Sequence, residues 1–118
     1  MIDILDIKTV KSMVVSLFKE GLRRDIDRSI DRLQQRLQKG EYELRVDFMN
    51  GNKTTIFFKD VSLDIISAQA SKIPLDVLHT EVEKRLIAAG YSRAVIEDEN
   101  LILDINISNE VLMSALAM

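Results

Sequence analysis

Apolar positions in the first forty residues recur at helical spacing, in two stripes that are out of line with each other. Val10, Val14, Leu17 and Phe18, joined by Ile7 and Met13, share one face. From Leu22 onward the stripe is Leu22, Ile26, Ile30, Leu33 and Leu37. At ~100° per residue these five fall within ~80° of arc, a narrow seam suited to another helix. The second stripe is rotated by roughly a third of a turn from the first. Gly21 lies at the join, so the pattern predicts a helical arm over residues 1–40 that is broken there. Gly21 would then cap the first piece and Gly40 the second.

Beyond Gly40 the period changes to two. Tyr42, Leu44, Val46 and Phe48 alternate with charged residues, and Asn50-Gly51-Asn52 turns the chain into Thr54, Ile56 and Phe58. A two-residue turn would put Ile56 and Phe58 on the charged face. A three-residue loop, Asn50 to Asn52, pairs Val46 with Ile56 and Leu44 with Phe58, and burial favours it. It leaves Phe57 on the outer face and needs Asn52 in the left-handed conformation.

Residues 60–73 fit either period. Ser67-Ala-Gln-Ala-Ser71 is poor strand material, which favours helix, with Leu63, Ile66, Ala70 and Ile73 on one face. Pro74 opens a clearer helix carrying Leu75, Leu78, Val82, Leu86 and Ala89, with Gly90 beyond its end. A second hairpin pairs Ala94 with Leu103 and Ile96 with Leu101, and sets Arg93 opposite Asp104. Ser108 or Asn109 then caps a short helix with Val111, Leu112, Leu116 and Met118. The expected fold is one α+β domain over residues 1–118: a helical arm, then hairpin, helix, hairpin and short helix, with an antiparallel sheet covered by helices on one face.

Composition adds bounds. The 118 residues are 47% hydrophobic and 30% charged, enough for a core and for solubility. Absence of cysteine removes disulfides, thiolate metal sites and thiol nucleophiles, and fits a reducing compartment. No apolar run approaches the roughly 20 residues of a membrane helix. Residues 1–8, with Asp3 and Asp6, lack a signal-peptide layout. A cytoplasmic protein with no membrane partner is expected.

Charge is unevenly spread although the net value is only −3. Residues 19–40 carry seven basic against four acidic side chains, and residues 91–118 carry one against five. On a helical wheel Arg24, Arg28, Arg32, Arg36 and Lys39 occupy one sector of about 120° flanking the seam. A solvated helix laced by local pairs such as Glu20–Arg24 and Arg28–Asp31 would account for this face. So would a contact in which charges beside a narrow seam select a partner, or a row of arginines along phosphates.

Little else suggests chemistry. Patterns such as GxGxxG, HExxH and GxSxG are absent, and the glycines at 21, 40, 51 and 90 have cap or turn roles. His79, the lone histidine, could act as a general base oriented by Glu83, but a helix-edge residue is the simpler account. Glu97-Asp98-Glu99 reads as a solvated turn rather than a cation site. No catalytic, cofactor or metal site is expected.

The reading is a non-enzymatic interaction or adaptor protein of the chaperone-like or phage-type accessory class. It would self-associate or bind a protein through Leu22, Ile26, Ile30, Leu33 and Leu37, with Arg24, Arg28, Arg32 and Arg36 setting orientation. A nucleic-acid-associated factor using the same arginines is the alternative.

Overall fold

In the computed structural model, which describes residues 6–68 and 73–117, the first element is one uninterrupted helix, α1 (Ile7–Lys39). Asp6 caps its start by accepting from the Lys8 amide, and Gly40 ends it in the left-handed conformation (φ 75°). The expected break at Gly21 does not occur. A glycine inside a helix costs about 1 kcal/mol relative to alanine, and the second half of α1 is held by burial that outweighs it. Gly21 is itself buried, together with Asp25, Ile26, Ser29 and Leu33.

The chain then forms β1 (Glu43–Asp47) and β2 (Lys53–Phe58). Their register differs from both expected ones. Leu44 pairs with Ile56, Val46 with Thr54 and Asp47 with Lys53, leaving a five-residue loop of residues 48–52. The Asp47 carboxylate accepts from the Met49 amide at 3.1 Å, so turning begins at Asp47 and Phe48 never joins the strand. The shift from the expected register is two residues, which preserves the faces. Ile56 and Phe58 still point to the core side, and Asn52 does adopt φ 57°. Lys59 reaches Glu43 (3.4 Å) as a diagonal cross-strand pair.

Residues 61–68 are helical, α2 (Val61–Ala68), as favoured over a strand; residues 69–72, including Ala70, lie outside the described part, as do residues 1–5 and Met118. α3 (Leu75–Ala88) follows Pro74. β3 (Arg93–Glu97) and β4 (Asn100–Asn106) form the second hairpin in the expected register, Arg93 with Asp104, Ala94 with Leu103 and Ile96 with Leu101. Glu97 and Asn100 also pair, so the turn is the two residues Asp98-Glu99, both at positive φ. α4 (Asn109–Leu116) is capped by Ser108, whose hydroxyl accepts from the Val111 amide.

The four strands form one antiparallel sheet in the order β1-β2-β4-β3. The fold is α+β. Its core lies between one sheet face (Phe58, Ala94, Leu101, Leu103) and the helices (Ile26 and Leu33 of α1, Val61 and Ile65 of α2, Leu78, Val82 and Leu86 of α3). α4 contributes no buried residue. It is tethered through Asn52, whose amide donates to the Ile107 carbonyl (3.0 Å) and the Asn109 side chain (2.7 Å). The molecule is elongated, 69 × 27 × 24 Å, with a radius of gyration of 19.0 Å. A compact chain of this length would have about 13–14 Å.

Candidate docking surface on the first helix

The seam of α1 is already covered by the protein's own core. Ile26 is 8% and Leu33 5% exposed, and Leu22, Ile30 and Leu37 pack against the same cluster. In this conformation the seam anchors the helix and offers little to another molecule.

The first half of α1 is the reverse. A 33-residue helix is about 50 Å long, twice the cross-section of the body, and every described buried residue of α1 lies at Gly21 or beyond. Ile7 and Leu17 are 67% exposed, and Val10, Met13, Val14, Val15 and Phe18 are exposed as well. The sequence shows this stripe; its lack of a cover is a tertiary fact. The signal that separates the two stripes is their rotation by a third of a turn. On a continuous helix that rotation turns the arm's apolar face away from the side that packs on the body.

Continuing along the stripe past Gly21, the side chains become basic. Arg24, Arg28 and Arg32 are exposed, and among the described residues none has an ion-pair partner. The expected local pairs do not form: Asp31 accepts from Gln35 (3.1 Å) and Asp27 pairs with Arg85 of α3 (3.1 Å). Arg36 differs from the other three. It is partly buried, donates to the Lys59 carbonyl (2.6 Å) and Asp64 (3.2 Å), and lies 5.7 Å from the Phe58 ring centroid. It fastens α1 to the β2–α2 junction rather than facing outward.

The remaining candidates are scattered. Among the described residues His79 makes no hydrogen bond with Glu83, whose carboxylate accepts from the Ile96 amide at 2.7 Å. The His79 Nε2 is buried without a partner among the described residues. Burial holds its pKa below the usual imidazole value, against the opposing pull of Glu83 and Asp76. Among the described residues no three histidine or carboxylate side chains converge as metal ligands. No described helix is long and apolar enough to cross a membrane. A hollow of about 340 Å³ lies beside the first hairpin, lined by Glu43, Leu44, Arg45, Thr55 and Phe57. Further exposed apolar side chains are Leu44, Phe48 and Met49 near that hairpin and Val111, Met113 and Leu116 on α4.

Comparison with known protein families, curated proteins and solved structures finds no match.

Proposed function

We propose that this is a non-enzymatic interaction protein whose N-terminal arm is its docking element. One observation carries the reading: the apolar stripe of residues 7–18 stands exposed on a helix whose far half is anchored in the core. Monomers rarely leave more than about 300–600 Å² of contiguous apolar surface open, and six large side chains half or more uncovered, or nearly so, reach that scale. The seam supports this role indirectly, by holding α1 rigid so that the arm is presented rather than folded back.

The test compares wild type with Val14→Asp/Leu17→Asp, immobilised against an extract of the native host and sized by light scattering. The double variant is expected to lose bound or self-associated protein while its circular dichroism is unchanged. Identical binding and mass for both would sink the reading.

A second reading, nucleic-acid contact, is favoured by Arg24, Arg28 and Arg32. They follow one another at ~6 Å along the helix axis, and among the described residues none is held in an ion pair. It predicts salt-sensitive binding to DNA or RNA that Arg28→Glu/Arg32→Glu abolishes. Absence of binding at low salt would dispose of it.

A further inference from the structure

We infer that the occupant of the arm is a second copy of this chain, its arm lying parallel to the first in a short two-stranded coil. This rests on the arm being the docking element. The support begins with spacing. Ile7, Val10, Val14 and Leu17 recur at 3-4-3, the seam pattern of a coiled coil, with β-branched Ile7 and Val14 at the first seam position and Val10 and Leu17 at the second. That distribution favours two parallel strands.

Charge decides the direction. In a parallel pair, Asp6 faces Lys11 of the second copy and Met13 faces its Phe18, giving one opposite-charge and one apolar contact on each side of the seam. In the antiparallel register that keeps the same seam layers, Ile7 meets Leu17 and Val10 meets Val14. Asp6 then faces Glu20, and Lys11 faces Lys11. Like charges then border the seam at these positions, with Met13 facing Met13 between them. All five flanking residues are exposed on the arm, and the Asp6 carboxylate also accepts from the Lys8 amide and the Thr9 hydroxyl of its own helix.

The body permits this arrangement. Because the seam that packs on the core is turned a third of a turn from the arm's stripe, each copy's sheet hangs to the outside of the pair. The stripe also contains its own stop. After Gly21, which is covered by the copy's own structure, it carries Arg24, Arg28 and Arg32, and like charges part the two helices where each begins to pack on its own body. A stable interface covers about 800 Å² per partner, more than two heptads of arm supply, so the association is expected to be concentration-dependent.

The chain has no cysteine, so single substitutions report neighbours cleanly. Ile7→Cys and Leu17→Cys would each be oxidised alone and mixed, beside light scattering of wild type and Val14→Asp/Leu17→Asp over rising concentration. A wild-type dimer, with each cysteine variant cross-linking to itself, is the expected result. Cross-links appearing only in the mixture would show antiparallel arms and overturn the inference. A strictly monomeric wild type whose arm still retains another protein would overturn the second copy while leaving the arm as docking element. A dimer untouched by the double aspartate variant would overturn both.

Discussion

His79 sits on α3 with one ring nitrogen buried and unpartnered, and this makes folding sensitive to acid. Its folded pKa lies below the ordinary 6.5, chiefly because burial penalises the charged ring. The unfolded chain therefore takes up the proton first as pH falls. The stability associated with a neutral His79 is present above pH 6.5 and is lost as pH drops below it. Thermal melts between pH 5 and pH 8 (about one to two units either side of the free imidazole value) should reveal this, and His79→Gln should flatten the acid limb. An unchanged limb would mean that other groups set it. The histidine was visible in the sequence, and so was its neighbour Glu83. That Glu83 is committed to the Ile96 amide was not, because that bond joins α3 to β3 and depends on how the second hairpin docks.

At the scale of elements, α1 divides into halves with opposite responses to mutation. Leu33 is buried among the core side chains, so Leu33→Ala should cost about 2–5 kcal/mol and lower the melting temperature. Leu17 is exposed, and Leu17→Ala should change monomer stability by no more than about 0.5 kcal/mol. Measured under conditions that keep the protein dilute, equal losses at the two positions would contradict the division. Hydrogen exchange provides a separate check. Isolated helices shorter than about 12–15 residues are marginal in water, so amides of residues 10–19 should exchange faster than those of 26–37 in dilute protein. Raising the concentration should slow the arm selectively. The hairpins divide differently: the second was legible to the residue pair, because the cross-strand Arg93–Asp104 match and the apolar alternation agree. The first was displaced by two residues, because the Asp47 side chain starts a turn that strand alternation does not register.

The whole molecule is a small α+β body with a rod projecting from it. Small-angle scattering on the dilute chain should give a radius of gyration near 19 Å, and a value near 13–14 Å, as expected for a compact chain of this length, would mean that the arm folds back. The charge imbalance noted in the sequence acquires a position in this shape. Arg24, Arg28 and Arg32 lie where the arm meets the body, while Arg36 is absorbed by Asp64 and the Lys59 carbonyl. Four arginines that look equivalent on a helical wheel thus divide into three that face outward and one that is a clamp. The difference arises from the β2–α2 junction, 23 to 28 residues away in the chain.

What the sequence determined by itself was everything carried by local period and local chemistry: the helical spacing of the arm, the alternation of the strands, the helix caps at Gly40 and Ser108, and the sheet face that becomes core. Those features depend on residues within a few positions of one another. Only the tertiary structure decided that α1 runs unbroken through Gly21, that Leu22, Ile26, Ile30, Leu33 and Leu37 are covered by the chain's own sheet and helices, and that Ile7 through Phe18 are left open. Two stripes out of line on a wheel are equally consistent with two helices and with one helix serving two surfaces. The burial of Gly21, Asp25, Ile26, Ser29 and Leu33 resolves that ambiguity, because burial on one side of the second half alone fixes where the first half must point.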